Sequence, residues 1–201
     1  NGLEVSRLES TTKEEPRVPT PRPRFGFLGS IAWQKGLHVL IEAFNELPAD
    51  ASLTIYGDDT RFPEYASSVK AMVRHPHVRF AGPLDYQHIG DALRQFDFLI
   101  VPSLWGETFC MVIQEAQAVG VPVVASNLGA LKRIRDGENG RLFEAGNSDD
   151  LARVMRDLVQ HPEKRDILAA GLCTGPTVKQ QARRICGIYG DVIAQHGTVA
   201  R

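Results

Sequence analysis

The 201-residue chain carries a formal net charge of −1, with 43% apolar and 23% charged residues. That length allows one substantial core, and that composition excludes a disordered chain. Scattered basic residues leave no footprint for nucleic acid as a partner, and three cysteines without CxxC spacing (Cys110, Cys173, Cys186) indicate neither a disulfide framework nor a zinc site.

Residues 1–23 hold Pro16, Pro19, Pro21 and Pro23 among charged and small residues, which disfavours a helix and reads as an extended linker remnant. From residue 24 to 201 short apolar runs alternate with helical patterns, the signature of βαβ units. A strand is predicted at 25–29, followed by a helix over 36–46 in which Leu37, Leu40, Ile41 and Phe44 share one face. A strand at 53–57, a helix over 63–74, a strand at 78–82 and a helix over 86–95 follow. The run Phe98-Leu99-Ile100-Val101 predicts a strand at 98–102 with both faces covered. Next come a helix over 109–118, strands at 122–126 and 140–143, and a helix over 149–160. Asn147, Ser148 and Asp149 offer N-cap oxygens for that helix, and Pro162 marks its end. A last helix is predicted over 178–194. The fold expected is α/β, a Rossmann-like doubly wound parallel sheet of about six strands.

Ligands of such sheets bind beyond the carboxyl ends of the strands, where backbone N–H groups at helix starts point outward. After the first strand, Gly29-Ser30-Ile31-Ala32-Trp33-Gln34-Lys35-Gly36 places glycine at both ends of a loop and a lysine at a helix start. Glycine lets backbone come close and lysine supplies a point charge, which suits a diphosphate. The order Lys-Gly is the reverse of a P-loop ending, and no GxGxxG follows any strand, so the ATPase and dinucleotide readings lose their main support. After the fourth strand, Glu107 lies just before a helix and Glu115 about two turns inside it. The small, apolar surroundings of Glu115 make an unpaired carboxylate costly, so it should have a partner, for which a sugar hydroxyl qualifies. Asp58-Asp59 reads as turn residues after a strand rather than as a divalent-metal motif, the histidines show no zinc spacing, and His75 and His77 read as parts of a surface turn before the third strand.

The stretch PSLWGETFCMVIQEAQAVGVPVVAS resembles the paired-glutamate motif of family-4 retaining glycosyltransferases of the GT-B type. FLGSIAWQKGLHVLIEAF, LTIYGDD, VRFAGPLDYQHIGDALRQFDFLIVPS and NLGALKRIRDGENGRLF support the resemblance, which covers about residues 24–160. It implies the C-terminal half of a GT-B fold, a nucleoside diphosphate sugar as donor, and no cofactor or metal. It also implies that Lys35 contacts the diphosphate, Glu107 the transferred sugar and Glu115 the ribose hydroxyls. Thr108 and the backbone of Phe109, Cys110, Met111 and Val112 would hold phosphate or sugar oxygens. Gly29 and Ser30 would face the donor, and Gly57, Asp58, Gly82 and Leu84 would line the base pocket.

Three positions depart from the family pattern: Ser30 where many members carry arginine, Cys110 where glycine is usual, and Arg133 in place of a glutamate. A left-handed backbone at Cys110 would be strained. The opening Asn1-Gly2 looks like the end of the family's interdomain linker, which implies an N-terminal acceptor domain missing from this chain, donor binding without efficient transfer by the fragment, and membrane association of the full-length protein as an open question. No apolar run approaches the roughly 20 residues that span a bilayer, and the N-terminus lacks a secretion signal, so with its unpaired cysteines the expected location is cytoplasmic. A GT-B phosphorylase or epimerase, and a non-enzymatic Rossmann-like regulatory or scaffold module, are the competing readings.

Overall fold

A computed structural model of the chain describes Leu8, residues 22–172, Gly175 and residues 177–196. Six parallel strands, β1 (Arg24–Leu28), β2 (Ser52–Tyr56), β3 (Val78–Gly82), β4 (Phe98–Val101), β5 (Val123–Ser126) and β6 (Gly140–Phe143), form one sheet in the order β3-β2-β1-β4-β5-β6. The helices are α1 (Leu37–Asn45), α2 (Pro63–Ala71), α3 (Ile89–Arg94), α4 (Met111–Ala118), α5 (Ser148–Gln160), α6 (Lys164–Ala170) and α7 (Val178–His196). Winding runs outward from β1 through β2 to β3, then returns to the other side of β1 with β4. The reversal falls between the loops that leave β1 and β4, which is where open parallel sheets place their ligands.

Alternation along the strands divides the core into two layers. Phe25, Phe27, Leu53, Ile55, Phe98 and Ile100 meet Leu40, Ile41 and Phe44 of α1 and Leu151, Met155 and Leu158 of α5 on one face. Leu99, Val101, Val123 and Ala125 meet Leu93 of α3 and Ile113 and Ala116 of α4 on the other. Every residue of β4 and β5 is therefore buried. Each such aliphatic or aromatic side chain contributes about 1.5–3 kcal/mol by leaving water, which is why this sheet centre can hold loops at its rim in fixed positions.

The α/β sheet and its six strands agree with expectation, each strand boundary lying within one residue of the predicted one. The helices differ more. A short 3-10 helix, Tyr86–His88, precedes α3 where one helix was expected, because Asp85 accepts a hydrogen bond from the Gln87 backbone N–H at 3.0 Å and tightens the first turn. Helix α4 starts at Met111, two residues later than expected, because Cys110 is left-handed. Helix α6 was not foreseen. His75 is buried rather than at the surface: its ring sits edge-on to Phe44, centroids 4.5 Å apart, and its Nε2 lies 3.2 Å from the Pro48 carbonyl oxygen. As expected, Asn147 caps α5, its side chain accepting from the Asp150 N–H at 3.0 Å. The expected linker lies outside the described residues except for Leu8, Arg22 and Pro23.

Candidate functional site

Two loops meet at the reversal. In the first, a 3-10 turn (Trp33–Lys35) ends at Gly36, whose φ of 67° closes the turn with its N–H on the Trp33 carbonyl. A Cβ on Gly36 would lie 1.9 Å from the carbonyl oxygen of Pro102, so only glycine lets the β1 loop rest on the β4 loop. The Leu104 N–H donates to the Gln34 carbonyl at 2.9 Å and fixes the second point of contact.

That docking brings Lys35 to Glu107, with Nζ donating to Oε1 at 2.6 Å. The same Oε1 accepts the hydroxyl of Ser103 at 2.9 Å. Ser103 is itself buried, so the carboxylate is held from below by a fixed hydroxyl and from the side by an ammonium. Cys110 senses the same charges. Burial, then the carboxylate of Glu107, push its thiol up to about 11, against the smaller pull of Lys35 and Arg133. Cys110 packs against the α3–α4 side of the core, and a raised, protonated thiol makes a packing side chain rather than an activated nucleophile.

Cys110 takes φ 52° and ψ 76°, the only non-glycine positive φ among the described residues. The strain foreseen for a left-handed residue at this position is therefore present, at a cost of roughly 1–2 kcal/mol. Behind it, the N–H groups of Met111 and Val112 have no intrahelical acceptors, while that of Ile113 donates to the Cys110 carbonyl at 3.2 Å. The turn therefore presents backbone donors and the positive end of the helix dipole beside the Lys35 ammonium, an arrangement suited to an anion.

Glu115 sits one turn further along α4, 6% exposed. Its Oε1 accepts the hydroxyl of Tyr86 at 3.1 Å. The partner expected for a carboxylate in this apolar setting is thus supplied by the chain itself.

Of the remaining expected residues, Gly29, Gly57 and Gly82 line up across the ends of β1, β2 and β3. The Gly29 N–H donates to the Tyr56 carbonyl at 3.1 Å and the Gly57 N–H to the Gly82 carbonyl at 2.9 Å. Ser30, Asp58 and Thr108 are exposed, while Leu84, Phe109, Met111 and Val112 are half-buried around the α4 entrance. Asp58 accepts from the backbone N–H of Thr60 at 2.8 Å and from its hydroxyl at 2.6 Å, which hold its carboxyl below the usual range, and Asp59 pairs with Lys70. Asp58 thus acts within its own turn, and Asp59 ties that turn to α2.

Sequence reasoning passed over four side chains that this geometry brings forward. Ser103 and Tyr86 hold the two glutamates. Trp33 and Trp105, one on each loop, are 59% and 70% exposed. Tyr86 had no local mark, because its partner Glu115 lies 29 residues away on α4, whereas Ser103 stands only four residues before Glu107 in the same loop; that spacing, and an exposed tryptophan in each loop flanking the lysine and the glutamate, were the available signals. Two surface hollows of about 520 and 430 Å³ lie elsewhere, one lined by Asn127, Asp136, Leu142 and Glu144 and the other by Arg141, Arg153, Arg156 and Lys164.

A sequence model described as "Glycosyl transferases group 1" matches residues 22–161. The chain is 36% identical over 181 residues to a phosphatidyl-myo-inositol mannosyltransferase of Mycobacterium leprae, covering 85% of this chain and 46% of the relative. It thus spans less than half the length of that relative. Among solved structures it is similar to Alr3699/HepE of Anabaena in complex with UDP and glucose, with 25% identity and a TM-score of 0.70 over 76% of this chain and 42% of that one. It is also similar to the C-terminal domain of a glycosyl transferase group 1 family protein (LpcC) from Francisella tularensis, with 27% identity and a TM-score of 0.64 over 74% of this chain and 81% of that one.

Proposed function

The chain belongs to the glycosyl transferases group 1 family, enzymes of the GT-B type, and on that premise we propose that it is the donor-binding domain of a retaining glycosyltransferase. The observation that carries the reading is the Lys35–Glu107 pair, 2.6 Å apart beside the entrance of α4, at the point where the sheet reverses its winding. A nucleoside diphosphate sugar matches this arrangement part by part. Its diphosphate would take the Lys35 ammonium and the free N–H groups of the 109–112 turn. The transferred sugar would place a hydroxyl on Glu107. Glu115 would accept the ribose hydroxyls, with the Tyr86 hydroxyl exchanging for them. The bound UDP and glucose of the Anabaena neighbour support a nucleotide sugar as the ligand class.

Charge grows on the diphosphate as the glycosidic bond breaks. Lys35 and the α4 tip would stabilise that charge more in the transition state than in the ground state, which is the condition for acceleration. Neither a metal nor a cofactor enters this scheme. The acceptor side of the cleft, and any membrane contact, would come from an N-terminal domain of the same protein. The two described cysteines are free thiols, which suits a reducing compartment such as the cytoplasm. Among the described residues no helix is long and apolar enough to cross a membrane.

Calorimetric titration with UDP, GDP and ADP tests the proposal. We expect heat with at least one diphosphate, strongly weakened binding in Lys35→Met, and no efficient sugar transfer by this chain alone. No heat with any of the three would favour a non-enzymatic module with the same fold, and robust transfer by the chain alone would refute the division of labour.

A further inference from the structure

Arg133 has no assigned role, yet it bridges two segments at the α4 entrance. A 3-10 helix, Gly129–Arg133, follows β5 and docks on the loop after β4, with the Ala130 N–H donating to the Glu107 carbonyl at 3.3 Å. From the end of that helix the Arg133 guanidinium reaches both ways. Its Nε donates to the Ala130 carbonyl at 3.0 Å and its Nη2 to the Phe109 carbonyl at 3.3 Å, while Cζ lies 5.1 Å from the centre of the Phe109 ring.

The Phe109 carbonyl belongs to the peptide unit whose nitrogen is that of Cys110. In a trans peptide the C=O and N–H point in opposite directions. Holding the oxygen on the Arg133 side therefore turns the Cys110 N–H away from it. Cys110 is also the residue forced into the left-handed region, with φ 52°. A side chain with a Cβ disfavours that region, so this turn has an intrinsic tendency to relax and swing the peptide over. One hydrogen bond to the Phe109 carbonyl and a cation–π contact with the Phe109 ring oppose that tendency where it would act, from a guanidinium that the Ala130 carbonyl holds in place.

We infer that Arg133 is a positioning residue, a strap across the left-handed turn that keeps the backbone donors of residues 109–112 aimed at the bound diphosphate. The inference rests on the donor-site reading above. It requires the fork geometry of arginine rather than its charge alone, and it requires the strain at Cys110.

Both requirements can be read in a double-mutant cycle on this chain, using the nucleoside diphosphate that it binds. Arg133 is exposed, so Arg133→Met should leave the fold intact. Arg133→Met is expected to weaken nucleotide binding tenfold or more, and Arg133→Lys nearly as much, since an ammonium cannot span both carbonyls. Cys110→Gly removes the strain, because glycine enters the left-handed region freely. In the Cys110→Gly background, Arg133→Met should then cost less than threefold. An equal loss in both backgrounds, or wild-type affinity in Arg133→Lys, would overturn the strap and make Arg133 a plain cation. If the wild-type chain binds no diphosphate, the donor reading has failed and unfolding still tests the strap. The urea midpoint should fall on Arg133→Met with Cys110 present and hold when Cys110→Gly is already in place; equal falls in both would refute it.

Discussion

Glu107→Gln should tighten the binding of a free nucleoside diphosphate while eliminating sugar transfer by the complete enzyme. The Lys35 ammonium is already engaged within the chain, 2.6 Å from Glu107 Oε1, with the two side chains 34% and 18% exposed. Two unit charges about 4 Å apart near a protein surface interact by about 4 kcal/mol. Solvent screening and side-chain ordering reduce the net value of such a half-exposed pair to about 1 kcal/mol. A diphosphate competing for Lys35 must offset that amount. Glutamine removes the competing charge and keeps an oxygen for the Ser103 hydroxyl, so affinity should rise about fivefold. Lys35→Met removes a charge-assisted bond worth roughly 1.5–3 kcal/mol and should weaken binding by about 10- to 150-fold. The sequence has two tryptophans, Trp33 and Trp105, one on each loop, so intrinsic fluorescence reports the titration directly. If Glu107→Gln binds the diphosphate as weakly as Lys35→Met, the pair is a preorganised unit and the two anions do not compete for the lysine.

Three further outcomes follow from individual contacts. Gly36→Ala puts a Cβ 1.9 Å from the Pro102 carbonyl oxygen at a φ of 67°; by urea unfolding it should cost roughly 2–5 kcal/mol and abolish nucleotide binding, because Lys35 precedes the displaced residue. Tyr86→Phe removes the 3.1 Å bond to Glu115 and should lower stability by about 1 kcal/mol; weakening of diphosphate binding by far more than fivefold would show that the tyrosine stays in place when the ligand enters. Cys110, raised from about 9 to about 11, should resist iodoacetamide at pH 8 while the exposed Cys186 reacts, as peptide mapping can show. Because the raised thiol holds its proton more tightly in the folded state, its contribution to stability is complete below about pH 9 and is lost as the pH rises toward 11.

The fold was legible because its signals are local. Phe98-Leu99-Ile100-Val101 can be so apolar only if both faces are covered, and the β4 burial pattern shows that they are. Lys35 and Glu107 were legible as candidates because each follows a strand, but their mutual contact depends on a strand order that brings β1 beside β4, joining residues 72 positions apart. Tyr86 was missed because its contact with Glu115 depends on how the segment before α3 packs on α4, while Ser103 lies four residues before Glu107 and only the curl of the loop turns its hydroxyl onto the carboxylate. The α4 start was misplaced because the conformation of Cys110 is imposed by its surroundings, against the preference of its own side chain. Similarly, His75 looked like a turn residue until the packing of Phe44 gave its ring a place in the core.

A structure of the chain with its nucleoside diphosphate bound would test the site most directly. The expected complex has phosphate oxygens within 3.2 Å or so of Lys35 Nζ and of backbone N–H groups in the 109–112 turn, and ribose hydroxyls on Glu115 in place of the Tyr86 hydroxyl. A nucleotide seated instead in the hollow beside Asn127 and Glu144, with the Lys35–Glu107 pair untouched, would contradict the assignment of this loop junction as the donor site.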